Sequence, residues 1–337
     1  MIARHYHFIL LALSLAFLTA ALVVQKPWSD RPKTPALAPL AVIPAGAAFV
    51  IDVDLAGLKK SAAGTELSRL GWARFAPAAS SVEFQPLRDV DEIVVAVPGS
   101  ARLAHERNAS FEPDAVAVVA SGRFTGKAAA DAAVERIRSH GGEPSRTTLG
   151  SFESVRDLRG TGEVAARDGL VILSDGSYLR AVLTAAEGKR GDGNESERTR
   201  DRVHSELRRT FGGGAPVTAT LTLPDGWLEA AFGDPDARRS PLALVRSAAA
   251  RVTVEKKLDV DVLLVCSNAD DCSRVAAFLR DARADLERGL GTASVFRRFA
   301  ESDPRHPERL ETSLSLPLGD VERLLAPPAG SASGGRP

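Results

Sequence analysis

From Phe8 to Val24 the chain runs seventeen residues without a charge (FILLALSLAFLTAALVV), and this stretch limits what the rest can do more than any other. Its only hydroxyls, Ser14 and Thr19, are able to bond back to helix carbonyls, so the segment reads as a membrane-inserting helix. The length falls between a signal-peptide core of about 7–15 residues and a comfortable span of about 20. The expectation adopted is an uncleaved signal anchor over residues 1–24. The alternative is a cleaved signal peptide with Thr19 and Ala21 as the small residues before the cut. No Cys follows the apolar run, which excludes a bacterial lipid anchor of the usual kind. Arg4 on one side and Lys26, Arg31 and Lys33 on the other give no charge bias toward export. The placement of the segment, as a secretory signal would be placed, favours a single-pass protein of the cell membrane with its soluble body on the periplasmic or extracellular side. A cytosolic body tethered by the same helix is the alternative.

Residues 25–45 place Pro at positions 27, 32, 35, 39 and 44, which favours extended backbone and predicts a stiff linker between membrane and body. Residues 327–337 (PPAGSASGGRP) predict a disordered tail. Of 43 basic and 43 acidic side chains, residues 1–43 hold Arg4, Lys26, Arg31, Lys33 and Asp30, leaving 39 and 42 for the remainder. A mildly acidic body with 5% aromatic residues lacks the cationic surplus and stacking platforms that nucleic acid needs, so nucleic acid is excluded as a partner.

Within the body, an apolar strand followed by Asp and a Leu-bearing helix start appears as AFVIDVDLAGL from Ala48, TLTLPDGWLEAAF from Thr220 and SLSLPLGDVERLL from Ser313. Asp54, Asp225 and Asp320 then sit where a carboxylate caps a first helical turn. A second pattern, β-rich strand, Ser-containing turn and Ala-rich helix, recurs from Ala115, Gly169 and Val260. Further strands are expected at Glu92–Val97 and Arg251–Lys257. The short step from the latter to Val260–Cys266 requires an antiparallel hairpin, because a parallel pair needs a crossover of about a dozen residues or more. The order strand, helix, strand, strand, helix, strand occurs twice. It predicts an α+β fold of tandem ferredoxin-like (split βαβ) units, mostly antiparallel, with helices on one face. The units are expected at 46–187 and 215–326. They are separated by a polar connector, 188–214, whose helix near Glu195–Phe211 is expected to be solvated; a docking surface formed by its stripe of Val203, Leu207 and Phe211 is the alternative.

The opening IPAGAAFVIDVDLAGLKKS resembles the start of uncharacterised exported bacterial proteins built from repeated α+β units, departing from them at Gly46, where an acidic residue is common. The resemblance implies architecture and envelope location and transfers no site residues.

Cys266 and Cys272 (CSNADDC) are expected to end a strand and open a helix, within reach of one another, and are a candidate disulfide; reduced thiols are the alternative. His105, His140, His204 and His306 have no ligand spacing and are read as surface or turn residues. Neither H-E-x-x-H nor G-x-S-x-G occurs, and SGRFTGKAA around Gly126 lacks phosphate-loop spacing and reads as a helix entry. Asp52 and Asp54 share a strand face, and Asp89, Asp91 and Glu92 cluster, but these are read as caps and edge charges. Asn108 and Asn194 fit glycosylation sequons, which matter only in a eukaryotic secretory route. No catalytic, cofactor-binding or metal residue is therefore assigned, and no cofactor. The leading expectation is a non-enzymatic binding or structural role in the envelope, with a protein or hydrophobic ligand as partner besides the membrane contacted by residues 8–24. A hydrolase whose site has no linear motif, and a carrier of a lipid or other hydrophobic ligand, are the alternatives. Convergent polar side chains in a pocket would mark the first and an apolar cavity the second.

Overall fold

β1 (Ala47–Asp54) stands at the centre of a twelve-stranded sheet, paired antiparallel to β2 (Val90–Pro98) on one side and to β10 (Val217–Thr222) on the other. The structure is a computed structural model describing residues 37–60, 84, 86–99, 103–105, 111–113, 115–160, 162–189, 194–211, 215–223, 239–255, 257–290 and 295–317. The apolar segment 8–24, Asn108, Asp225, Asp320 and the tail 327–337 lie outside them. Among the described residues no helix is long and apolar enough to cross a membrane.

Beyond β2 the sheet continues through β5 (Ala117–Gly122), β9 (Leu170–Asp175), β8 (Gly162–Arg167), β7 (Phe152–Asp157) and the edge strand β6 (Pro144–Leu149). Beyond β10 it continues through β11 (Val245–Val254), β12 (Lys257–Cys266), β14 (His306–Pro317) and the other edge, β13 (Phe296–Asp303). All twelve strands are paired antiparallel, and a separate small hairpin joins β3 (Leu103–His105) to β4 (Phe111–Pro113). The fold is thus α+β with one large antiparallel sheet. The expected hairpin ahead of Cys266 is β11 and β12, in register from Val254↔Leu258 to Ser247↔Val265, with a shift before the last pair, Val245↔Cys266. Outward from the centre, β1, β2, β5, β9, β8 and β10, β11, β12, β14, β13 follow the same order. A split βαβ unit holds a further strand between the two that its helix joins, whereas β1 and β2, with α1 (Leu55–Lys60) and the short α2 (Pro86–Asp89) between them in sequence, are direct antiparallel neighbours.

The expectation of helices on one face is corrected. Strand alternation sends Ile51 and Val53 to one face, where they share a cluster with Leu55 and Leu58 of α1, Ala128 and Ala129 of α3 (Gly126–Ser139), and Val252, Val260 and Leu314 of the second half. Val50 points the other way, into a cluster with Leu179, Val182 and Leu183 of α4 (Gly176–Ala186). On that same face α5 (Glu195–Phe211) sets Leu207 against Ala249 and Leu263, while α6 (Ala269–Leu290) covers Val245, Cys266 and Leu310 on the first face. The cause lies in the strands: Val50–Ile51 and Val119–Ala120 are buried at consecutive positions, so both faces carry apolar side chains that need cover.

The end of the segment read as a linker and the connector helix expected to be solvated both pack on the sheet. Pro39–Val42 forms a 3-10 turn, and Val42 and Ile43 are buried against the α4 face. α5 is docked, with Leu207 and His204 at 4% and 3% exposure.

Candidate functional site

The helix α5 begins with a reciprocal cap: the Glu197 amide donates to Asn194 Oδ1 at 3.0 Å and the Asn194 amide to Glu197 Oε2 at 2.8 Å. Four residues along α5, Arg200, Asp201, His204 and Arg208, fall at the three- and four-residue spacing that makes one helix face. That face is polar, and three of its members bind the backbone entering β1. Gly46 donates its N–H to Asp201 Oδ1 at 3.1 Å, while its carbonyl accepts from Arg200 Nη1 at 3.5 Å. His204 Nε2 lies 2.8 Å from the Ala47 carbonyl, and its Nδ1 lies 2.7 Å from Thr220 Oγ1 on β10.

Backbone pairing between β1 and β10 ends at Phe49↔Leu221. Past that point side chains take over: Thr222 Oγ1 donates to the Ala48 carbonyl at 3.3 Å, and His204 takes the carbonyl of Ala47. His204 therefore joins α5 to both central strands. Burial pushes its imidazole below the ordinary range, against the bond to Ala47, and the nearby Arg208 and Arg200 add to the shift.

Farther along β1 the same face carries carboxylates. Asp54 stands opposite Glu92 of β2, and Asp52 is two residues away on the same side. Burial, reinforced by Asp52 and Asp54, raises the Glu92 carboxyl to about 7. Burial also raises Asp52, opposed by Arg208, whose own guanidinium is lowered mainly by burial. Asp54 is the cap foreseen from sequence, accepting the Gly57 N–H on Oδ1 at 2.7 Å. From Asp52 a row of directly opposed polar residues crosses the sheet: Thr218, Arg251, Asp261 and Ser313. Arg251 Nε donates to Asp261 Oδ2 at 2.8 Å, and Ser313 Oγ donates to Asp261 Oδ1 at 2.6 Å. Burial pushes the Asp261 carboxyl up, but those two donors together leave it below its usual range.

One residue out of phase, the opposite face carries an apolar row. Leu173, Val118, Val95, Ile51, Ala219, Ala250 and Val262 are successive directly opposed partners from β9 to β12. Ile51 is buried, the intervening residues are partly covered, and Leu173 is 47% exposed. The sheet thus turns a polar row to one side and an apolar row to the other at adjacent positions of the same strands.

No family model matches the chain, and no curated protein matches it. A solved structure of TP0453, in its crystal form I, is similar over 86% of this chain and 97% of that one, with a TM-score of 0.45 and 12% identity.

The remaining sequence candidates are dispersed. Asp89 is buried and held by Arg88 through Nε at 2.6 Å and Nη2 at 2.7 Å; Asp91 is held by Arg123 at 3.2 and 3.3 Å. His140 is exposed at the end of α3, and His306 is exposed beside Glu308 at 3.4 Å. The surface reading of His204 is corrected: it is one of the few buried polar residues, and no local pattern announces this, because its partners lie 157 and 16 residues away. Gly126 opens α3, with its amide on Asp168 Oδ1 at 2.8 Å, as a helix entry should. Cys266 and Cys272 are joined as a disulfide, with Cα atoms 5.5 Å apart. Among the described residues no three His, Cys, Asp or Glu side chains are grouped to hold a metal ion.

Proposed function

We propose that this chain is a membrane-anchored envelope protein with a non-enzymatic binding role, held to the bilayer by residues 8–24 and presenting its body outside the cytoplasm. The observation that carries the binding part is the apolar row from Leu173 to Val262 across the central strands, incompletely covered at its Leu173 end. A run of aliphatic side chains left partly accessible favours an apolar partner or ligand over a charged one. The anchor reading rests on the uncharged stretch Phe8–Val24. The common order of strands outward from β1 and β10 supports the reading of the body as two related α+β units that meet along the β1–β10 seam.

Binding is tested by titrating full-length protein in detergent micelles with a fluorescent fatty acid, comparing wild type with Leu173→Asp. Saturable binding that the substitution weakens while the fold is retained supports the reading. Equal behaviour of the two, or no binding, removes it. Location is tested by protease access in intact and permeabilised cells; digestion of the body only after the inner membrane is lysed overturns export.

A further inference from the structure

We propose that His204 is a proton-operated latch between α5 and the seam of the central strands, closed when the imidazole is neutral and opened when both ring nitrogens carry protons. The Ala47 carbonyl is only an acceptor, so Nε2 must carry the hydrogen and Nδ1 must accept from the Thr220 hydroxyl. Every hydrogen-bonding site of the neutral ring is then satisfied inside the protein, where the residue is 3% exposed. Adding a proton to Nδ1 turns an acceptor into a donor. The Thr220 hydroxyl must rotate to receive it and its own proton loses that acceptor, at a position 2% exposed. The added charge is also desolvated.

The surrounding groups do not rescue the cation. On α5 itself, Arg200 and Arg208 flank the ring with like charge, and Asp201, which favours the cation, is outweighed by burial together with these two arginines. On β1, Asp52 stands in the field of Arg208, and on β2 Glu92 lies beyond it among the carboxylates. From α4 the Tyr178 hydroxyl faces Asp201, and burial pushes it up and keeps it neutral. β10 contributes Thr220, which does not titrate. Protonation thus loosens the contact that ties α5 to both strands, and the same helix face holds Gly46 through Arg200 and Asp201, so these contacts loosen with it.

The sign follows from linkage. A His lowered in the folded state stabilises it fully above its unfolded value, near 6.5, and loses that contribution as pH falls below it. An opening that takes up one proton therefore becomes about tenfold more favourable between pH 7.5 and 5.5. Hydrogen exchange of full-length protein in micelles, corrected for intrinsic rates, reads this directly. Peptides covering 195–211 and 217–222 should exchange about tenfold faster at pH 5.5 than at 7.5 relative to the edge strand β6, and His204→Gln, whose amide can both donate and accept, should abolish that difference. Unchanged relative exchange in the wild type overturns the proposal, as does a His204→Gln protein that keeps the full pH response. Should that variant not fold, the imidazole proton resonance of wild type decides. Titration of His204 coincident with α5 exchange supports the latch, and titration with α5 still protected overturns it.

Discussion

Asp54 and Glu92 stand directly opposite each other on β1 and β2, two carboxylates on one face of a sheet with Asp52 beside them. Burial raises the Glu92 carboxyl to about 7, and the like charges of Asp52 and Asp54 add to the shift, as like charges at opposed positions of a strand pair do. A carboxyl raised in the folded state is favourable when protonated, so its contribution is present below the unfolded value of about 4.5 and is lost as pH rises toward 7. Glu92→Gln should therefore stabilise the protein at pH 8 by about 1 kcal/mol, after allowance for solvent screening of a half-buried group, and should be neutral at pH 4. Urea denaturation of both proteins at the two pH values checks the sign.

The docking of α5 has its own apolar anchor. Leu207 packs on Ala249 and Leu263, so Leu207→Ala and Leu263→Ala should each cost about 2–5 kcal/mol. Because the two side chains belong to one packed cluster, the double variant should cost less than the sum by at least about 0.5 kcal/mol. Additive losses, measured by chemical denaturation, would show that α5 and β12 are not in contact in solution.

Gly46 turns the chain into β1 with φ at +81°, and a Cβ there would stand 2.4 Å from Glu197 Cγ and 2.9 Å from its Cβ. The left-handed conformation alone costs Gly46→Ala about 1–2 kcal/mol, and the contact adds to it by pushing on the first turn of α5. The expected result is a lowered thermal midpoint together with faster exchange in 195–201 than in α3.

The Cys266–Cys272 bridge closes a loop six residues in sequence separation, which limits its value to about 2 kcal/mol on the chain-entropy account. Cys266→Ala/Cys272→Ala should lose about that much, and reducing agent should lower the wild type to the same level without affecting the variant. A variant as stable as oxidised wild type refutes the estimate.

These features differ in how far they were legible beforehand. Asp54 as a cap, the β11–β12 hairpin and the helix entry at Gly126 follow from neighbours in sequence, and the structure places them as the pattern predicts. The two-sided cover of the sheet was obscured because the helices that cover each face are fixed by long-range pairing, although Val50–Ile51 already carried the signal of burial on both sides. The strands β6 and β7 carry little signal of their own: PSRTTL and FESVRD have few apolar residues, and the pairing of β7 with both β6 and β8 is not marked within either segment. α5 read as a solvated helix since Arg200, Asp201 and His204 meet backbone groups, and a backbone carbonyl leaves no mark in composition.

The pairing of Val53 with Val217 has a consequence for biosynthesis. β1 is made early, yet one of its edges has no neighbour until most of the chain has been translated. During that interval a bare strand of AFVIDVD offers itself to any other unfinished copy, a hazard that grows with the sequence distance between partners. Production of this protein should thus depend on chaperone supply and dilution more than its finished stability suggests, and fragments ending before β10 should be recovered as aggregates.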